Sequence, residues 1–416
     1  MKKTLIITLE FPPTIGGIAT YVHDLANALD PVQTIVLAPY QKDTGAWDKD
    51  QKYRIIRRKL LFPRFLWPRW IKLFFLARRI VKKEHIQLLM IHHVLPAGYV
   101  GMFLKKLSGV PFLLFSHGTD LVAGTKTPWK KRMVRRVSAR ALQIIFNSES
   151  LQQRYLRVFP EFERLSSVVY PCPETIFMDA QSPEEIGHLR RQYALEGKKV
   201  LLSVSRLTDG KGFPHMIRIM PRVLKEVPNL AWFIIGDGEK RGDIMARIQE
   251  LHLQNIVRYI GQLPHEKLPP YYAVADLFVL LTHPDEGKEE GLGLVFLEAA
   301  AAGIPIIAGK SGGVEEAVLH EKTGLVVDVY RGDPAVAESI VRLLKDPAYA
   351  KTLGEAGRQR IREEFQWWLQ VKRLDPWIGE LCFDFFVIST EAILSQGEGE
   401  RSGEIFRIDT RTHFHG

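Results

Sequence analysis

The chain predicts an α/β fold of two doubly wound, parallel-sheet domains facing one another across a cleft. Three observations carry this. Short apolar or β-branched runs alternate with segments of helical spacing; the alternation breaks at a charged stretch and then restarts. A length of 416 residues is also long for one core but comfortable for two domains of about 150–200 residues.

The first set of runs lies at residues 4–9, 34–38, 86–92, 111–116, 142–146 and 167–170, separated by helix-spaced segments such as IATYVHDLANALD. Their length and branching mark them as strands. After QSPEEIGHLRRQYALEGKK the rhythm resumes at VLLSVSRL, AWFIIGDG, IVRYIGQ, LFVLLT, IPIIAGK and TGLVVDV. Strands alternating with helices imply parallel sheets covered on both faces. The expected units are therefore residues 1–180 and residues 181–375, with the hinge near 180–198. Residues 376–416 read as a C-terminal helix and a tail of uncertain order.

Composition narrows the class. With 46% hydrophobic and 25% charged residues the chain is an ordinary globular protein. Cys172 and Cys382 are too few for a disulfide framework and lack metal-ligand spacing, so a reducing compartment is expected. The start, MKKTLIITLEFPP, reads as a first strand rather than a signal peptide, and no run approaches the roughly 20 apolar residues of a spanning helix. A cytoplasmic protein is expected. Residues 1–180 carry 28 Lys and Arg against 13 Asp and Glu, whereas residues 181–416 carry 29 against 34. A basic half joined to a mildly acidic one points the first half toward an anionic surface or substrate.

In doubly wound sheets ligands bind outside the carboxyl ends of the strands. The loops expected there are EFPPTIGG, SHGTD, SRLTDGKG, GDGEKRGD, HPDEGKEEGLG and GKSGG, all rich in glycine or charge. GLGLVFLEAAAAG fits a short helix with a glycine-rich entry, closed by Gly303 and Pro305. Such an entry lets an anion approach backbone amides, and the helix dipole favours it. Glu290 and Glu298 flank that entry, placed to touch different parts of one extended ligand. The GKS at 309–311 is not a nucleotide-triphosphate loop, because Ile304 stands where its first glycine belongs. Asp48–Lys49–Asp50 reads as a solvated loop rather than a metal site.

Glu290 and Glu298, separated by seven residues in EGLGLVFLE, resemble the signature of retaining glycosyltransferase family four. That family includes the glycogen synthase and phosphatidylinositol mannosyltransferase-like group 1 enzymes, with the two-Rossmann GT-B fold. The likeness runs over roughly residues 3–370 in motif order. It implies that Glu298 binds the nucleotide ribose and that Glu290 reaches the transferred sugar. It also implies that backbone at Gly293 and Leu294 meets sugar or phosphate, and that Arg206 and Lys211 clamp the diphosphate. A planar fork and a point charge suit a departing pyrophosphate. Gly16 and Gly17 match the glycine loop, His117 and Asp120 the histidine loop beside the reacting sugar, and Gly312 and Gly313 the donor-side turn. No metal or cofactor is implied. Three departures stand out: Leu292 for a commoner aromatic, Glu315 for a proline, and YPCPET for an Asn-Gly turn.

Residues 52–83 contain no acidic side chain and interleave Phe62, Phe65, Trp67, Trp70, Phe74 and Phe75 with Arg64, Arg69, Lys72, Arg78 and Arg79. A second basic cluster runs through KTPWKKRMVRRVSAR. Aromatic residues beside Lys and Arg suit a helix lying in an anionic lipid interface, with Pro63 and Pro68 confining the helix to a start near Arg69. The alternatives are a buried amphipathic helix with a solvated basic face, or a single-stranded nucleic acid site; an anionic membrane surface is the partner expected, and nucleic acid is not.

The expectation is a retaining hexosyltransferase of cell-surface glycan synthesis, peripheral at the inner face of the plasma membrane. Its donor is a nucleotide-diphospho-sugar and its acceptor a lipid-linked or polysaccharide hydroxyl. Alternatives are a nucleotide-sugar epimerase or hydrolase of the same fold, and a non-catalytic sugar-nucleotide or membrane-binding protein.

Overall fold

A computed structural model describes residues 1–14, 16–63, 65–118, 124–286 and 289–379. The first seven strands are β1 (Thr4–Ile7), β2 (Thr34–Pro39), β3 (Arg54–Arg58), β4 (Leu88–His92), β5 (Phe112–Ser116), β6 (Gln143–Phe146) and β7 (Ser166–Val168). They form one parallel sheet in the order β3-β2-β1-β4-β5-β6-β7. The next six are β8 (Lys199–Val204), β9 (Leu230–Ile235), β10 (Val257–Gly261), β11 (Leu277–Leu280), β12 (Ile306–Gly309) and β13 (Leu325–Val327). These form a second parallel sheet, ordered β10-β9-β8-β11-β12-β13.

The two-sheet α/β architecture expected from the rhythm is borne out. Strands β1, β4, β5, β6, β9 and β11 are buried at every position, which is why they read as continuous apolar runs rather than alternating ones. The exception is β3, which falls inside the stretch read as a basic interfacial segment. As an edge strand with sequence RIIRR it exposes Arg54 and Arg58, so charge masked its strand character. The helix that follows runs Ile71–Glu84, beginning after Pro68 as the two prolines require.

Each strand order reverses once, between β1 and β4 in the first sheet and between β8 and β11 in the second. A crevice opens at each reversal. After the long helix Pro347–Glu364 the chain returns to the first sheet. Val371, Leu374 and Ile378 join the core over one face of that sheet with Leu25 and Met90, and the Lys2 amide donates to the Ile378 carbonyl at 2.7 Å. The segment around residue 375 thus packs on the first sheet, not on the second.

Candidate active site between the two domains

On the second-domain wall, the loop after β8 carries Arg206 and Lys211 and leads into the helix Phe213–Glu226. Arg206 is exposed and Lys211 half-buried. The Lys211 ammonium pairs directly with the Glu290 carboxylate. Burial opposes ionisation of Glu290, but Lys211, the Gly291 amide and the Arg206 charge outweigh it and hold the carboxyl below its ordinary value.

The helix expected after Glu290 is present as Leu294–Ala302, entered through Gly293 at φ 87° and closed by Gly303 at φ 76°. The GKSGG turn packs against the Glu290 backbone: the Glu290 amide donates to Ser311 Oγ at 3.1 Å, and the Gly313 amide to the Glu290 carbonyl at 3.1 Å. A Cβ on Gly312, at φ 52°, would stand 2.1 Å from that carbonyl oxygen. Arg206, Lys211, Glu290, Gly293, Leu294, Gly312 and Gly313 therefore come together on one wall.

Glu298 lies deeper, with 2% of its side chain exposed. One oxygen accepts from the Tyr272 hydroxyl at 2.7 Å, and the other pairs with His265 Nε2 at 2.9 Å. His265 Nδ1 contacts Glu174 at 2.8 Å. Burial works against charge on this imidazole, yet the two carboxylates push its pKa up to about 10. Glu174 belongs to YPCPET, one of the departures noted in the sequence, so here that segment supplies a carboxylate to the cluster around His265 and Glu298.

On the first-domain wall, Gly16 and Gly17 open the helix Gly17–Ala28, and a Cβ at either would meet nothing within 4 Å. Arg57 of β3 holds the loop before them, donating to the Pro12 carbonyl at 2.6 Å while gripping Asp48 at 2.8 Å with two nitrogens. Asp48 is thus an ion-pair partner rather than a solvated loop residue. His117 is buried beyond β5, its Nε2 3.0 Å from His92 Nδ1 and its ring stacked on His92. Burial, together with the nearby His93, pushes its pKa down to about 3, so it is a neutral imidazole. Asp120 lies outside the described residues.

Sequence reasoning missed Glu10, His93 and Glu316. Glu10 and His93 follow β1 and β4, the two strands at the reversal, and lie 3.6 Å apart. The available signal was a histidine doublet directly after an apolar run. Glu316, from the second domain, accepts from the Glu149 and Ser150 amides at 2.6 and 2.7 Å and from the Tyr170 hydroxyl at 3.1 Å. Arg154 pairs with Glu289 at 3.1 Å beside it. These contacts close the two walls on one another, and the Arg206 charge is felt by both Glu290 and Glu10.

Residues 186–360 match the family of glycosyl transferases group 1, and residues 15–172 match glycosyltransferase family 4. The chain belongs to glycosyltransferase family 4. A GDP-mannose-dependent alpha-(1-6)-phosphatidylinositol monomannoside mannosyltransferase of Mycolicibacterium smegmatis is 30% identical over 382 residues, covering 89% of this chain and 96% of the relative. A GDP-mannose-dependent monoacylated alpha-(1-6)-phosphatidylinositol monomannoside mannosyltransferase of Corynebacterium glutamicum is 29% identical, covering 90% and 97%. The crystal structure of Anabaena HepE in complex with UDP and glucose superposes with a TM-score of 0.76 at 19% identity, covering 92% of this chain and 100% of that one. This family 4 enzyme has the GT-B fold, and its activity is hexosyl transfer from a nucleotide-sugar.

Proposed function

We propose that this enzyme transfers a hexose, with retention of anomeric configuration, to a hydroxyl on a lipid-linked acceptor at an anionic membrane surface. The observation that carries the reading is the Lys211–Glu290 pair on one wall of a cleft whose other wall holds Glu10, His93 and His117, the two walls joined through Glu316 and through Arg154 and Glu289.

The chemistry is chiefly electrostatic. As the bond from the sugar to phosphate lengthens, Arg206 and Lys211 stabilise the departing diphosphate, aided by the amides at the start of Leu294–Ala302, while the sugar gains oxocarbenium character. Glu290 accepts from hydroxyls of the transferred sugar, and Glu298 reads the ribose through the lone pairs that Tyr272 and His265 leave unused. Neutral His117 orients the sugar. The acceptor hydroxyl attacks on the face that the phosphate leaves, and a donor phosphate oxygen takes its proton. The names of the sequence relatives favour GDP-mannose as donor and a phosphatidylinositol-linked mannoside as acceptor.

The membrane reading rests on the first domain. The helix Ile71–Glu84 buries Leu73, Ala77 and Val81 and turns Arg79, Lys82 and Lys83 outward. It packs on the helix Ala97–Ser108, as does the basic helix Pro128–Ser138. A surface cavity of about 560 Å³ lined by Lys131, Arg132, Arg135 and Arg136 lies on the latter. Phe65 and Trp67 are 82% and 81% exposed. Trp70, in contrast, stacks on Phe103 and packs, partly buried, against the core. Among the described residues no helix is long and apolar enough to cross a membrane, so contact would be through this surface.

A thermal-shift panel of nucleoside diphosphates and their sugars identifies the donor, since selective binding to the folded state raises its melting temperature. Proton NMR of the product made from that donor should then show the donor's own anomeric configuration. An inverted product would refute retention, and donor consumed without added acceptor would favour the epimerase or hydrolase alternative.

A further inference from the structure

Glu10 and His93 are absorbed by none of the roles above, yet they occupy the position where this fold places ligands. Glu10 lies three residues beyond the end of β1, and His93 is the first residue after β4. Those are the neighbours at which the first sheet reverses order, so both sit at the mouth of its crevice.

Both are held with care. The buried Thr8 hydroxyl donates to the Glu10 carbonyl at 2.6 Å and accepts from the Glu10 amide at 3.2 Å, which fixes the backbone while leaving the side chain 44% exposed. His93 has φ 103°, a conformation a bulky L-residue rarely adopts and one found where structure is committed to a ligand. Its Nδ1 is turned to the His92 carbonyl, which aims Nε2 at Glu10. The carboxylate and Nε2 are 3.6 Å apart, too far for a good direct hydrogen bond. A hydroxyl oxygen set to one side of that line reaches both.

We infer that Glu10 and His93 seat the attacking hydroxyl of the acceptor. This deepens the transferase reading and rests on it. The hydroxyl donates to the Glu10 carboxylate and accepts from the Nε2–H of His93 as an imidazolium, which leaves its second lone pair to point at the sugar carbon. The new bond forms between that oxygen and the carbon as the bond from carbon to phosphate oxygen breaks. The electron pair leaves on the phosphate; as it does, the O–H turns from Glu10 to the departing phosphate oxygen, which receives the proton, and Glu10 remains a carboxylate. The contact with His93 holds Glu10 below the ordinary carboxyl range against the effect of burial, with His117 and Arg206 adding to it. A fixed negative charge at this point accepts a neutral polyol hydroxyl and repels phosphate, so any phosphate of the acceptor lies elsewhere.

The assay uses the full chain, the donor giving the largest thermal shift, and phosphatidylinositol monomannoside in vesicles as acceptor. Glu10→Gln keeps the shape and removes the charge. His93→Gly removes the ring at a backbone position that glycine tolerates. Each variant should raise the acceptor KM or lower kcat by roughly tenfold or more, the cost of losing a charge-assisted hydrogen bond. The donor KM and donor-dependent thermal shift should stay within about twofold of wild type. Added imidazole should restore part of the loss in His93→Gly. Wild-type acceptor KM and kcat in both variants would overturn the assignment, as would an equal loss of donor affinity, which would mark a structural role. A wild-type enzyme that turns over no donor with this acceptor or a panel of polyols would remove the transferase reading, and the assignment with it.

Discussion

Lys211 and Glu290 show how one contact serves two ends. The Lys211 ammonium and the Glu290 carboxylate satisfy each other inside the cleft, where an unpaired charge would be costly. On the proposed reading, a diphosphate between Lys211 and Arg206 would share the positive charge and leave Glu290 to accept sugar hydroxyls. Arg206→Ala and Lys211→Ala should each lower kcat by roughly 10²-fold or more, with far-ultraviolet circular dichroism unchanged; normal turnover in both would rule out the clamp. His265 makes a separate prediction about stability. Its folded pKa of about 10 lies above the ordinary 6.5, so the folded state binds the proton more tightly. The stability it lends is complete below pH 6.5 and is lost as pH rises toward 10. Urea midpoints of the wild type should fall across that window, and those of His265→Gln should fall less. The grouping of residues at this scale was partly legible. Residues carried by motif, such as Arg206 and Glu290, could be named because their spacing within one loop is local. Glu10, His93 and Glu316 could not, because their partners come from other strands or from the other domain.

At the scale of elements, the glycines at 312 and 313 decide how closely β12 can deliver its loop to the Glu290 backbone. Adding a methyl group at 312 strains a positive φ and drives a carbon onto the Glu290 carbonyl. Gly312→Ala should cost about 1–3 kcal/mol in urea unfolding and weaken the donor-induced thermal shift. An unchanged shift would mean the turn has room to relax. The sheets were legible for a simple reason. A strand covered on both faces carries an unbroken apolar run, and most strands here are of that kind. The edge strand β3 is covered less, so its arginines look like a surface patch, and only its pairing with β2 reveals it. The entry and exit of Leu294–Ala302 were equally clear, because glycine at both ends is itself a backbone instruction.

For the molecule as a whole, charge is unevenly divided between the two domains. The basic helices Ile71–Glu84 and Pro128–Ser138 share one layer of the first domain, and the exposed Phe65 and Trp67 precede the former. Wild-type protein should float with vesicles containing acidic lipid and detach as salt rises. Changing Phe65 and Trp67 together to Ser should reduce flotation without altering the melting temperature, since neither is part of a core cluster. Full retention would leave the basic face simply solvated. Trp70 is unsuitable for this test because its ring is part of the fold.

Glu316 ties the domains in a way that has a dynamic consequence. It takes the first amides of the helix Glu149–Val158, which without it would depend on water. Were the lobes to part, these two amides would lose their acceptor while Ser148 Oγ kept the Leu151 amide, so an opening would offer the protons on Glu149 and Ser150 to solvent. Their deuterium uptake becomes a clock for the breathing of the cleft, slowing when a substrate keeps it shut.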